Sequence, residues 1–274
     1  MNRVEAIFSD LRRTRRAGLM PFITAGYPSL DATAAIIPAL ERGGAHICEI
    51  GFPFSDPIAD GPIIQASMTH ALSRGVHPAD IFGMVRSIRD RVKIGLVAMV
   101  SYSIVFRIGV ERFIGQAADA GFDGFIFPDL PLEEAEAVAG LVTQAGLISS
   151  LLISPTTPDD RAARIARASS GFIYLLARTG ITGERSTLPE GLAERIARLR
   201  SATDLPIAVG FGIATAEHVR GVTQVADAAI VGSALVRRIT QHIDEPPQAI
   251  ASHAAALVAD LAAGLPGVPQ PVHR

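Results

Sequence analysis

Eight short apolar segments recur along this chain, separated by stretches long enough for a helix. They read "LMPFITAG" (19–26), "HICEIG" (46–51), "KIGLVAMV" (93–100), "GFIFPD" (124–129), "SSLLIS" (149–154), "FIYLLA" (172–177), "PIAVGFG" (206–212) and "AAIVGS" (228–233). Most are apolar throughout rather than alternating, the pattern of parallel strands covered on both faces. Between them lie amphipathic stretches such as "LDATAAIIPALERGG", "VERFIGQAADAGF", "EEAEAVAGLVTQAG" and "GLAERIARLRSATD", several ending in glycine, a common helix stop. Eight β–α repeats within 274 residues have the size and rhythm of a (β/α)8 barrel. The alternative, a doubly wound sheet, usually carries a Gly-rich turn after its first strand and rarely needs eight evenly spaced strands. The expected fold is therefore α/β, a (β/α)8 TIM barrel forming a single domain over 1–274. "VEAIFSDLRRTR" would add an N-terminal helix closing the barrel bottom, and 265–274 would be a frayed tail.

Composition narrows the function classes. With 49% apolar residues and a formal net charge of −2, neither a disordered chain nor a nucleic-acid footprint is expected. One cysteine excludes a disulfide framework and a cysteine-based zinc site. No apolar run approaches the roughly 18 residues of a membrane span. The basic "RRTRRAG" is followed by a strand-like segment rather than a signal sequence, so a cytoplasmic protein is expected.

The rhythm is broken once. The second and third strands lie further apart than one helix requires, and the surplus is assigned to the loop in "CEIGFPFSDPIADGP" (48–62). Long βα loops in a barrel lie on the catalytic face. The loop after the sixth strand, "RTGITGERSTLPEG", is also long and carries glycines that could hinge a lid.

Strand alternation sends Cys48 and Glu49 to opposite sides. Cys48 suits the helix layer as a small buried hydrophobe, which points Glu49 into the barrel mouth. A buried glutamate needs either a hidden cationic partner or a function, and desolvation would raise its pKa toward the range useful for proton transfer. Asp56 in "SDP" fits a turn as well as a functional role. Asp60, before Gly61-Pro62, could reach back over the mouth toward Glu49.

Other chemistries lack their residues. Lys93 is the only lysine and begins a strand, at the barrel bottom, so a Schiff-base aldolase is not expected. The histidines at 46, 70, 77, 218, 242, 253 and 273 have no ligand-like spacing, and no metal site is expected. At the seventh and eighth strands, "VGFGI" and "VGSAL" place Gly210, Gly212, Gly232 and Ser233 where phosphate-binding barrels hold phosphate. Ser233 would be the N-cap of the helix "ALVRRI", whose N–H groups and dipole favour an anion. The plainer alternative is that these glycines only permit tight turns.

With these segments in place, the sequence resembles the tryptophan synthase alpha chain family. "PFITAGYP", "EIGFPFSDPIADGPIIQ", "TGITG", "GFGI" and "VGSALV" match that family's signatures in order, over about residues 5–245. The resemblance implies a lyase that cleaves indole-3-glycerol phosphate by retro-aldol chemistry to indole and glyceraldehyde 3-phosphate, late in tryptophan biosynthesis. It implies no cofactor in this chain, and a pyridoxal-phosphate-dependent beta chain as partner in an α2β2 complex that receives the indole. It assigns Glu49 and Asp60 as the catalytic pair and Phe22, Tyr102 and Tyr174 to the indole pocket. Thr182 and Gly183 would belong to the lid; Gly183, Gly212, Gly232 and Ser233 would hold phosphate; Pro53, Asp56 and Pro57 would face the beta chain. Without the family, the aromatic residues read equally well as core packing. This chain departs at Ile104, where members usually carry asparagine, between the catalytic loop and the partner interface. A self-sufficient lyase, a non-catalytic subunit that only activates a beta chain, and a sugar-phosphate isomerase are the competing expectations.

Overall fold

In the computed structural model, which describes residues 1–57, 60–177, 191–210 and 212–266, the strands appear in the expected order. They are β1 (Gly18–Thr24), β2 (Ile47–Gly51), β3 (Gly95–Met99), β4 (Gly124–Phe127), β5 (Ile148–Ile153), β6 (Ile173–Leu176), β7 (Ile207–Gly210) and β8 (Ala228–Val231). Each pairs in parallel with the next, and β8 closes on β1 through Gly18↔Ala228 to Pro21↔Val231. The fold is thus a (β/α)8 barrel, as the segment rhythm required.

Twelve α-helices surround or cap it among the described residues. They are α1 (Arg3–Arg13), α2 (Leu30–Arg42), α3 (Pro62–Ser73), α4 (Pro78–Ile88), α5 (Tyr102–Ile108), α6 (Val110–Ala120), α7 (Leu132–Gln144), α8 (Asp159–Ala168), α9 (Leu192–Arg200), α10 (Ala216–Thr223), α11 (Ser233–Gln241) and α12 (Pro247–Ala262).

The N-terminal helix does close the barrel bottom. Asn2 and Glu5 form a reciprocal capping box, with Asn2 Oδ1 accepting the Val4 N–H at 2.9 Å and Glu5 Oε2 accepting the Asn2 N–H at 3.0 Å. Asn2 also donates to the carbonyls of Asp123 and Gly146, at 2.8 and 2.9 Å. Val4, Phe8 and Leu11 then pack into the barrel interior with Met20, Ile47 and Phe172. The interior is therefore a filled core at this end, and any site must lie at the other.

Three expectations need correction. The surplus between β2 and β3 is not loop alone but also a complete helix, α3, started by Pro62 at its first position. The eighth unit has two helices: "ALVRRI" belongs to the short α11, and α12 is the helix that packs along α2. Finally, Leu265, expected to open a frayed tail, is buried in the core. Residues 267–274 lie outside the described residues.

Candidate active site

The site forms where β2 ends. Ile47 belongs to the barrel interior and Cys48 to the core between strands and helices, so strand alternation turns Glu49 inward. Glu49 is 0% exposed, and neither carboxylate oxygen has a hydrogen-bond partner among the described residues. Burial drives its pKa well above the ordinary carboxylate value, so the neutral acid is the favoured form. Burial and the neighbouring Glu49 also push the Cys48 thiol upward, which leaves it an unreactive apolar group.

The loop beyond Glu49 is anchored at both ends. Phe52 is buried against the rings of Phe82, Phe113 and Phe122, with centroids 5.6, 5.6 and 5.9 Å away, and its N–H donates to Met99 O at 2.8 Å. At the far end, Gln65 Nε2 on α3 donates to the carbonyls of Asp60 and Pro57, at 2.8 and 3.2 Å. The Asp60 N–H also donates to Pro57 O at 3.0 Å. Burial raises the Asp60 pKa to about 6. Phe52 and Gln65 were not singled out in the sequence; the available signal was an aromatic residue opening a polar loop and an amide in the helix that follows it.

Tyr174 joins the two acids. It is buried on β6 with its side chain in the inner cluster. Its pKa is raised first by burial and then by the charges of Glu49 and Asp60, which places both carboxylates within electrostatic reach of its hydroxyl. Phe22 pairs in register with Glu49 across β1 and β2. A Cβ on Gly51 would stand 2.5 Å from Phe22 Cζ, so only glycine there leaves the ring its place over the end of β2. A Cβ on Gly232 would meet Ile64 Cδ1 at 3.6 Å and Phe22 Cβ at 3.9 Å. Phe22 thus connects the acid end of the site to the turn after β8.

That turn leads into α11. The Leu235 and Val236 N–H groups donate to Gly232 O, while the first N–H groups of the helix have no intrahelical partner. Such a terminus attracts anions, and a short extra helix after β8 is where phosphate-binding barrels hold phosphate. Gly232 occupies the N-cap and Ser233 the first helical position, so Ser233 is not the cap it was expected to be. Ser233 is buried, with only 6% of its surface exposed. Gly212, after β7, has φ +74°, a left-handed conformation that favours glycine.

Other expected residues have these surroundings. The Tyr102 hydroxyl donates to Glu134 Oε2 on α7 at 2.7 Å, and its ring packs against Phe106 and Phe127. Asp129, which the sequence reading did not select, holds it there by accepting the Tyr102 N–H and the Ser101 hydroxyl at 2.7 and 2.6 Å. Pro53 is buried, Asp56 is exposed and Pro57 is half-buried. Asp56 accepts the Ser55 hydroxyl at 2.5 Å, consistent with a turn. Thr182 and Gly183 lie outside the described residues. His46 sits at the opposite end of the barrel, accepting the Leu19 N–H through Nδ1 at 3.2 Å.

The site brings together a fully buried carboxyl held toward its neutral form, a second carboxyl whose pKa is raised to about 6, the buried rings of Phe22 and Tyr174 and the N-terminus of α11. The family model described as "Tryptophan synthase alpha chain" matches residues 8–264. A tryptophan synthase alpha chain of Rippkaea orientalis is 46% identical over 246 residues, 89% of this chain and 92% of that one. One of Rhodopirellula baltica is 44% identical over 248 residues, 89% of each chain. Among solved structures, Mycobacterium tuberculosis tryptophan synthase superposes with a TM-score of 0.87 at 33% identity, over 96% of this chain and 98% of that one. The Legionella pneumophila alpha subunit gives 0.85 at 34% identity, over 96% and 98%. By its family match, its relatives and its fold, this chain belongs to the tryptophan synthase alpha chain family.

Proposed function

We propose that this enzyme, a carbon–carbon lyase of tryptophan biosynthesis, cleaves indole-3-glycerol phosphate to indole and glyceraldehyde 3-phosphate. The observation that carries the reading is Glu49, fully buried at the end of β2 with both carboxylate oxygens unpartnered among the described residues. A neutral carboxylic acid without a partner is poised to exchange a proton with a bound substrate.

Glu49 donates its proton to indole C3, which places positive charge on the ring nitrogen. The bond between C3 and the glycerol chain then breaks, and its electrons restore the aromatic indole. The adjacent hydroxyl becomes the aldehyde and its proton returns to Glu49, so the acid is regenerated. A positioned acid/base of this kind contributes about 10²–10⁴-fold. Asp60, ionised, accepts the indole N–H and stabilises the developing cation; a charge-assisted hydrogen bond is worth roughly 1.5–3 kcal/mol. Phe22 and Tyr174 flank the indole, and the α11 terminus at Gly232-Ser233, with Gly212, receives the phosphate. Thr182 and Gly183 would contribute to a lid over Asp60.

The chain needs no cofactor of its own in this scheme. Its partner is a beta chain carrying pyridoxal phosphate, in an α2β2 assembly that consumes the indole. Phe106, 69% exposed on α5 after β3, supports a docking face on the catalytic side that includes Pro53, Asp56 and Pro57. No helix among the described residues is long and apolar enough to cross a membrane, which fits a cytoplasmic enzyme.

The test is indole release from indole-3-glycerol phosphate by the purified chain, alone and with a beta chain of a relative. Slow release that rises sharply with the partner is expected. Fast release unmoved by the partner would indicate a self-sufficient lyase. No release in either case would overturn the reading.

A further inference from the structure

A second group of donor atoms assembles where α11 turns into α12. His242 caps the C-terminus of α11, and its Nδ1 lies 2.8 Å from Glu245 Oε1. His253, on α12, has its Nε2 3.2 Å from Glu245 Oε2. The two imidazoles stack face to face, with centroids 3.5 Å apart and planes 5° from parallel. One ligand atom from each of the three residues lies within 4.8 Å of the others. The spacing of these residues along the chain is not metal-like, because the third ligand arrives only when α12 folds back beside the end of α11.

One carboxylate thus serves two imidazoles. A divalent cation in place of the shared protons would draw the three donors to one centre, since their ligand atoms already lie within 4.8 Å of one another. Each ring gives the ion a lone pair and keeps its one proton on its other nitrogen, while Glu245 supplies negative charge. The parallel rings must each turn about χ2 to aim their lone pairs at one ion. The side chains are 23%, 41% and 39% exposed for His242, Glu245 and His253, which gives them room to do so and leaves coordination positions for water.

We propose that His242, Glu245 and His253 form a site for a divalent transition metal of the zinc or nickel class, which staples the end of α11 to α12. Two imidazoles and one carboxylate suit these ions, whereas magnesium and calcium prefer oxygen ligands throughout. The site is structural: it lies at the opposite end of α11 from the candidate phosphate turn, about 13 Å away along the helix. Thr240, two residues before His242, hydrogen-bonds the Tyr27 hydroxyl at 2.8 Å, so the staple also bears on the loop after β1.

The test is calorimetric titration of the chelator-stripped full chain with Zn2+, alongside its melting temperature with and without the ion. One Zn2+ per chain is expected, with affinity reduced on the order of tenfold or more in both His253→Ala and Glu245→Gln. Zn2+ should raise the melting temperature of the wild type but not of His253→Ala, and Mg2+ should neither bind nor compete. Both altered residues are partly exposed, and unchanged circular dichroism would establish that the variants fold. Absence of saturable Zn2+ binding up to millimolar concentration, or a smaller loss of affinity in the variants, overturns the proposal.

Discussion

Two buried carboxylates at opposite ends of the barrel contrast sharply. Asp123, before β4, accepts from Arg3 Nη1 at 3.2 Å, Arg89 Nη1 at 3.3 Å and the Leu96 N–H at 2.7 Å. Burial pushes its pKa upward, while the N–H and the two guanidinium groups pull against that rise. Glu49 is more deeply buried and has none of these partners. The same functional group in one place ties α1, the end of α4 and the strands together, and in the other is left without a partner among the described residues. The difference lies in the partners supplied, and each prediction below tests one side of it.

The largest effect should come from Glu49→Gln. The amide keeps the shape of the neutral acid but carries no transferable proton, so kcat should fall about 10²–10⁴-fold with KM little changed. Its urea midpoint should stay level or rise, because no folded-state partner is lost. A large loss of stability would place Glu49 with Asp123 as a structural acid.

Asp123→Ala should do the reverse. Removing one partner of a buried ion pair leaves Arg89 and the Leu96 N–H uncompensated, which costs about 3–5 kcal/mol. Urea unfolding should register this, while kcat per folded chain remains near wild type. A loss of kcat with stability intact would contradict the division of roles.

Asp60→Asn should lower kcat/KM by the equivalent of roughly 1.5–3 kcal/mol, because a neutral amide stabilises the indolyl cation less well. In the wild type, the ionised form is the useful one, so kcat/KM should fall as pH drops below about 6. Stability responds in the opposite sense. The folded pKa is raised, so the contribution of Asp60 to stability is fully present below its unfolded pKa and lost as pH rises through about 6. Asp60→Asn should therefore recover roughly 1–3 kcal/mol near pH 7, after allowance for its partial exposure. An acid limb that survives in the variant would assign it to another group.

Gly212→Ala should have the smallest effect. A side chain at φ +74° adds about 1–2 kcal/mol of strain. The expected result is a modest rise in KM for the phosphorylated substrate together with a slightly lower melting temperature; no change in either would remove Gly212 from the anion site.

Much of this architecture was legible in the residues. Continuous apolar runs located all eight strands to within about two residues, since both faces of each strand are buried. Strand alternation alone separated Glu49 from Cys48. The failures have physical causes as well. Helix α3 begins inside a proline- and glycine-rich motif that reads locally as loop, and α12 is apolar on most of its surface because it packs along α2. Ser233 fits a cap by composition, but the turn after β8 gives that position to Gly232. Tyr102 is held by Asp129 and Glu134 through hydrogen bonds that span 27 and 32 residues and leave no local signal.

The central claim is that the Glu49 carboxyl is neutral at working pH and waits for substrate. Infrared difference spectroscopy of the wild type against Glu49→Gln at neutral pH reads this directly. A protonated carboxyl band present in the wild type and absent from the variant is the predicted result. A difference showing loss of an ionised carboxylate instead would mean that Glu49 is charged at rest, and the proton-donating role assigned to it would fail.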